Sequence, residues 1–299
     1  MKIIILGSSG FIGSNCVKYF LSKNHHVWTA GIKDLNKENY YKINKFNPNY
    51  IPLFEKQKYD ICINASGSSS IHDSFTNTKN DFSLNVLNVQ KLLATIKKYN
   101  TECKIINFSS AAVYGNPKTL PISENSTLNP ISPYGKHKLE SEKLLTEYSQ
   151  NFGLKTCSLR IFSAYGPGQR KQIIWDIYQK YLKDKQITLF GDGNESRDYI
   201  YIDDIMEAIE VVIHEANFKG EAINIATGIE TSISSLVETF FNILDPSANF
   251  QFTGEKKVGH PINWCADIRK ISNMRFKPKT TLTEGLYSVI SWIKDQKSG

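Results

Sequence analysis

The sequence is poor in the features that mark several protein classes. Only five of its 299 residues are cysteine (Cys16, Cys62, Cys103, Cys157 and Cys265), and no two stand in a C-x-x-C spacing. That excludes a disulfide framework and a thiolate zinc site. An odd number of thiols among mostly apolar or helix-forming neighbours is expected of buried, reduced cysteines in a cytoplasmic protein. The six histidines show no H-E-x-x-H spacing, so metal catalysis has no support. No apolar run approaches the roughly 20 residues of a membrane helix. The opening Met-Lys-Ile-Ile-Ile-Leu-Gly is too short for the apolar core of a signal peptide. Basic residues outnumber acidic ones by 36 to 29, but the lysines are scattered and form no block of five or six. The chain is therefore expected to prefer small anions and not to bind nucleic acid.

What is present is a repeated alternation. Lys2 to Leu6 is a continuous apolar run of strand length, followed by glycine-rich turn residues and then by apolar positions at helical spacing from Phe11 to Ser22. Further strand-like runs lie at 26–30, 61–65, 104–108 and 156–162, with helical patterns over 81–99 and 134–152. Strands without polar alternation, separated by amphipathic helices, imply a parallel sheet buried on both faces. The expected fold is α/β, a Rossmann-like doubly wound parallel sheet with a smaller C-terminal α/β substrate lobe. Residues 1–162 with about 199–226 are assigned to the dinucleotide-binding domain, and 163–198 with 227–299 to the lobe.

"GSSGFIG" places Gly7, Gly10 and Gly13 between the first strand and the first helix. Such a turn needs positive φ and close backbone approach, and the helix start offers N–H groups to an anion. Gly7, Ser9, Gly10, Phe11, Ile12 and Gly13 are thus the candidate pyrophosphate site. Gly31 follows the second strand, where an acid would otherwise meet the ribose 2′-hydroxyl. With no carboxylate there and Lys33 close by, the expectation is NADP, and Asp34 keeps NAD as the alternative.

"SPYGKHKLE" sets Tyr134 and Lys138 four residues apart, hence on one helix face after the start signal Ser132-Pro133. That spacing alone also fits one turn of an ordinary surface helix. Beside an ammonium and an oxidised nicotinamide, however, a phenol with an ordinary pKa near 10 is drawn toward the working range of a base. Ser109 and Ser110 end the strand 104–108, on the edge where doubly wound sheets bind ligands. Of the two, Ser109 is the better candidate for a plain capping serine, which leaves Ser110 for the substrate. His137 is read as projecting away from the Tyr134/Lys138 face.

The motifs "GSSGFIG", "INASG", "SSAAVYG", "SPYGKHK", "LRIFSAYGPGQR" and "GDGNESRDYIYIDDI" resemble, in order and spacing, those of the extended short-chain dehydrogenase/reductases. Over nearly its whole length the chain is similar to the NAD(P)-dependent epimerase/dehydratase branch that acts on nucleotide-diphosphate sugars. The resemblance implies that Ser110 polarises the sugar hydroxyl or ketone, that Tyr134 is the acid/base, and that Lys138 activates it and holds the cofactor ribose. It implies a cofactor lining from Ala65, Ser66, Gly67 and Phe162, and substrate contacts from Asn85, Ser110, Ser163 and Arg197. A salt bridge of Arg197 to Asp198 or Asp203 is the structural alternative.

Departures from the family pattern narrow the activity. Ser163 stands where asparagine is usual, Lys256 or Lys257 replaces a late arginine, and no Asp pair follows the third strand to touch adenine. Ala111-Ala112 follow Ser110 where 4,6-dehydratases carry Asp-Glu, which disfavours dehydration. A 4-ketoreductase with exchanging NADPH is placed ahead of a 4-epimerase with tightly bound NAD. A non-catalytic dinucleotide sensor is the reading from another class. The family resemblance also implies a homodimer packed through the helices 81–99 and 134–152.

Overall fold

The computed structural model describes residues 1–255, 259 and 261–296; Lys256 and Lys257 lie outside the described residues. Its centre is a seven-stranded, wholly parallel sheet. The strands are β1 (Lys2–Leu6), β2 (His26–Gly31), β3 (Tyr40–Lys42), β4 (Ile61–Asn64), β5 (Lys104–Ser110), β6 (Thr156–Ile161) and the strand Lys219–Ile225. Their order across the sheet is Lys219–Ile225, β6, β5, β4, β1, β2, β3. Ile3 and Ile5 enter the core on one face, Ile4 and Leu6 the core on the other. Successive side chains of a strand point to opposite faces, so burial on both faces is what removed polar alternation from the sequence.

The helix Phe11–Ser22 packs Cys16 and Phe20 on one face, and Asn88–Tyr99 packs Leu92, Leu93 and Ile96 on the other. Leu236, Phe240, Val289 and Ile293 of the C-terminal helices Ile233–Leu244 and Leu282–Asp295 belong to the same apolar cluster as Ile3 and Ile5. Small strand pairs flank the sheet: Ser163–Tyr165 with Tyr199–Tyr201, Ser196–Arg197 with Thr231–Ser232, and Gln186–Leu189 with Asn249–Phe252. Among the described residues no helix is long and apolar enough to cross a membrane.

Three local differences from the sequence reading bear on function. The short strand β3 has no periodic signal of its own, yet it supplies Tyr40 beside the end of β2. β5 runs two residues further than expected and carries Ser109 and Ser110 within the sheet. The helix expected from 81 begins at Thr78 and passes through a π turn, Ser83–Leu87, before Asn88–Tyr99. Such wide turns concentrate at functional positions, and this one holds Asn85.

A buried polar network joins the sheet to the helix Pro133–Phe152. Arg160 of β6 grips Glu142, with Nε 3.1 and 3.2 Å from the two carboxylate oxygens and Nη2 2.8 Å from Oε2. Nη1 donates to the Tyr114 hydroxyl at 2.9 Å and to the Glu124 carbonyl at 3.0 Å, and Ser109 donates to Glu142 at 2.5 Å. Removing one partner strands a buried charge, whereas replacing both with apolar groups does not. Arg160→Leu is expected to lower unfolding free energy by about 3–5 kcal/mol in urea titrations. The double variant Arg160→Leu/Glu142→Leu is expected to lose clearly less.

Candidate active site

The glycine turn is shaped by contacts that leave no room for side chains. Gly7 has φ 74°, and a Cβ there would fall 2.6 Å from the Ala65 carbonyl oxygen; one on Gly13 would fall 2.3 Å from the Gly7 carbonyl oxygen. The turn is thereby pressed against Ala65 and Ser66 at the end of β4. Gly10 caps the helix Phe11–Ser22 with no side-chain hydrogen bond, so its first N–H groups are left for an anion. Ser9 and Gly10 are exposed at this point, with Phe11 and Ile12 half-buried behind them.

A second cluster lies at the carboxyl end of β5. Ser132 caps the helix Pro133–Phe152 by accepting the Gly135 N–H at 3.1 Å, which sets the start of the helix and brings Tyr134 to the sheet edge. Tyr134 is 8% exposed, and Ser110 is the side chain at the end of β5 that acts on its phenol. Burial pushes the phenol up to about 12, and the Asp81 carboxylate acts in the same direction, while Ser110 opposes the shift. Lys138 donates from Nζ to the Phe108 carbonyl at 2.8 Å, with Nζ 5.8 Å from the Tyr134 ring centroid. Burial pushes this ammonium down to about 8 against the pull of Asp81 and Glu142.

Asn85 completes the cluster from the π turn. A Cβ on Gly67 would fall 2.5 Å from Asn85 Oδ1 and 3.6 Å from Lys138 Nζ, so all three residues face one another. Both polar atoms of the Asn85 amide are buried with no hydrogen-bond partner among the described residues. Buried amides are rarely left so unless a ligand meets them. The uncapped glycine turn, the cradle at Gly67 and this amide together fit a dinucleotide laid from the turn to Lys138.

The remaining candidates lie to either side. The Phe162 ring centroid lies 6.1 Å from that of Trp264, and the Arg197 guanidinium lies over the Trp264 ring, 5.5 Å from its centroid. Arg197 donates to the carbonyls of Ser196, Ile262 and Pro261. Neither Asp198 nor Asp203 is among these acceptors; Asp198 instead takes hydrogen bonds from Thr227, Gly228 and Ala266. Ser163 is half-buried and donates its N–H to the Asp198 carbonyl. Lys33 stands apart at the end of β2, exposed, with its carbonyl accepting the Tyr40 hydroxyl at 2.6 Å. Asp34 is paired with Lys42 at 2.6 Å.

Two readings of the sequence are corrected. Ser110, not Ser109, is the capping serine, accepting the Ala112 N–H at 3.1 Å, while Ser109 serves the Glu142 network. His137 does not project away from the site: three residues after Tyr134 it shares a helix face with it, and its Nδ1 lies 2.6 Å from Asp81. Trp264 and Tyr40 were missed. The aromatic two residues before Ala266-Asp267 was the available signal for Trp264; Tyr40 had none.

Residues 3–226 match the model described as the NAD dependent epimerase/dehydratase family. The chain belongs to this family. Among relatives of this epimerase/dehydratase chain, an uncharacterized UDP-glucose epimerase of Bacillus subtilis is 31% identical over 320 residues, covering 100% of both chains. The UDP-glucuronic acid 4-epimerase of Bacillus cereus, solved with UDP-glucuronic acid and NAD, superposes with a TM-score of 0.89 at 28% identity, over 99% of this chain and 100% of that one. A UDP-N-acetylglucosamine 4-epimerase of Methanobrevibacter ruminantium has a TM-score of 0.87 at 25% identity, over 99% and 98%.

The depressed ammonium has a measurable consequence. Lys138 titrates near 8 in the fold and near its ordinary 10.5 when unfolded, so between those values the unfolded chain holds more protons and stability rises with pH. Below about 8 the full cost of burying the charge is present. Compared without nucleotide, Lys138→Met is expected to be the more stable chain at pH 7 by on the order of 1–3 kcal/mol, with the gap closing by pH 10. Urea unfolding at both pH values checks this; a gap that does not narrow would show that burial leaves this lysine unperturbed.

Proposed function

We propose that this epimerase/dehydratase family member is a nucleotide-sugar 4-epimerase that uses NAD and takes a uridine-diphosphate sugar. The observation that carries the reading is the Lys138 ammonium, held by the Phe108 carbonyl and 5.8 Å from the Tyr134 ring centroid, in a chain where Ser110 is followed by two buried alanines. Ala111 and Ala112 have no proton to give or take, which supports C4 chemistry over dehydration. The reductase reading, placed first on sequence, drew on the charge of Lys33 and the absence of an acid at Gly31. The similar 4-epimerases, one of them holding NAD and UDP-glucuronic acid, support the epimerase and NAD instead.

Bound NAD supplies the hydride acceptor and donor for the sugar C4 carbon. Tyr134 takes the proton from the C4 hydroxyl oxygen as the carbon is oxidised and returns it to that oxygen when the carbon is reduced on its other face. Ser110 holds the same oxygen in reach of the phenol. Lys138, fixed by the Phe108 carbonyl, steadies the phenolate charge and is placed to hold the cofactor ribose. Asn85 lines the same pocket. Arg197, stiffened against Trp264 and three carbonyls, retains N–H groups for the diphosphate, and that anchor lets the keto sugar turn without leaving. The lobe 163–198 and 227–299 is assigned to the nucleotide end. Five buried free thiols support a cytoplasmic setting.

The enzyme incubated with UDP-glucose, UDP-glucuronic acid or UDP-N-acetylglucosamine is expected to interconvert one of them with its C4 epimer, followed by NMR, without added cofactor or net absorbance change at the nicotinamide band. Tyr134→Phe is expected to lower that rate by roughly 10²–10⁴-fold while still binding nucleotide. One-for-one consumption of NADPH with a 4-keto sugar, and no interconversion, would sink the epimerase reading. Unchanged turnover in Tyr134→Phe would remove the phenol from the chemistry.

Phe82, at the end of the helix Thr78–Phe82, and Leu87, at the end of the π turn that follows it, are each 38% exposed. Large apolar side chains in water on these elements support a homodimer packed through them. Light scattering after size exclusion is expected to read twice the 34.0 kDa chain mass; a single-chain mass at micromolar concentration removes the dimer.

A further inference from the structure

Between Tyr134 and Lys138, on their own helix, His137 reaches across to the helix Thr78–Phe82, where its Nδ1 lies 2.6 Å from Asp81 Oδ2. Both groups are withdrawn from water: Asp81 is 3% exposed, and the histidine side chain 12%. The Phe82 ring closes the outer side, 5.3 Å from the imidazole and edge-on to it. A carboxylate at this depth is costly unless it is paired. Its second oxygen, Oδ1, is buried with no hydrogen-bond partner among the described residues.

The placement ties the pair to the site. Asp81 and Asn85 are four residues apart on a continuous helical path, so one face offers Asn85 to the pocket and Asp81 to His137. The facing helix presents Tyr134, His137 and Lys138 within little more than one turn. We propose that Asp81 and His137 are positioning residues for proton transfer at Tyr134: the pair pins the helix carrying Tyr134 and Lys138 to the helix carrying Asn85, and it brings the Asp81 carboxylate against the helix that bears both. This deepens the reading in which Tyr134 moves the proton and rests on it.

The charged and titratable groups around the phenol are Lys138 and His137 on its own helix and Asp81 from the helix Thr78–Phe82, with the Ser110 hydroxyl acting on it from β5. Lys138 is faced by Asp81 and Glu142. After burial itself, Asp81 is the charge that disfavours the phenolate, and the same carboxylate favours the Lys138 ammonium. The pair therefore restrains the phenol from ionising early while holding the lysine charged.

Asp81→Asn tests this, because it keeps the shape and a polar partner for His137 and removes only the charge. Two readouts are followed in the NAD-loaded protein: the acidic limb of kcat/KM for sugar interconversion, and the ionisation of Tyr134 by NMR of ring-labelled tyrosine, with Tyr134→Phe identifying the resonance. Both midpoints are expected to move to lower pH by roughly half a unit to one unit, with kcat falling several-fold and KM little changed. A Tyr134 midpoint that stays in place or rises overturns the proposal, even if rate or thermal stability falls, because a purely structural pair would leave it there. Should Asp81→Asn not fold, Asp81→Ser reads the same midpoint. The NMR titration needs no turnover, so it stands or fails separately from the 4-epimerase reading.

Discussion

Glu142 lies two helical turns beyond Tyr134 and one beyond Lys138, all three on the buried face of a single helix, and Arg160 on β6 takes its carboxylate with two nitrogens. In the sheet, Ser109 stands opposite Arg160 and Ser110 opposite Ile161. One ion pair therefore sets both the rotation and the axial position of the helix relative to the end of β5. A slide of one residue would turn the helix by about 100° and take Tyr134 away from Ser110 and Lys138 away from the Phe108 carbonyl. It would also leave two charges unpaired at a depth where each costs several kcal/mol. The placement of Tyr134 and Lys138 at the end of β5 is thus held by a contact that lies outside the candidate site.

The site built on that register is electrostatically strained. Burial disfavours the phenolate of Tyr134 and the ammonium of Lys138 alike, although the proposed acid/base step needs both charges. Two features relieve the conflict locally: the Ser110 hydroxyl favours the phenolate, and the carboxylates of Asp81 and Glu142 favour the ammonium. The π turn adds a second concession, since it delivers Asn85 to the pocket with its amide unmatched inside the protein. Stability surrendered at these positions is recovered in the two apolar layers of the sheet and in the Arg160 network.

Features governed by neighbours in the chain were legible in advance. The glycine spacing of the first turn, the Ser-Pro start and the Tyr134/Lys138 spacing each express a local geometric requirement, and the structure places them where those requirements predict. The doubly wound sheet followed from apolar strands alternating with amphipathic helices. The misreadings share a different origin. Ser109 and Ser110 are adjacent in a strand and so face opposite ways, and only the position of Glu142 decides which of them the network takes. Asp81 and His137 are 56 residues apart in sequence. Tyr40 meets Gly31 only because β3 pairs with β2, and Arg197 finds backbone carbonyls and Trp264 in place of an acid because those segments converge in space. The NADP expectation rested on the absence of an acid at Gly31 and on the charge of Lys33, and nothing in the sequence signals that Tyr40 meets the same strand end.

The amino-acid order by itself determined the parallel sheet, the glycine turn and the identity of the serine, tyrosine and lysine at its carboxyl edge. These depend on spacing and on the backbone freedom of single residues. Only the tertiary structure decided the charge environment of that edge: which carboxylate meets His137 beside it, which arginine holds the helix in register, and what stiffens the Arg197 guanidinium. Coulombic and desolvation energies depend on distance through space and on exclusion of water, and neither is written in the order of residues along the chain.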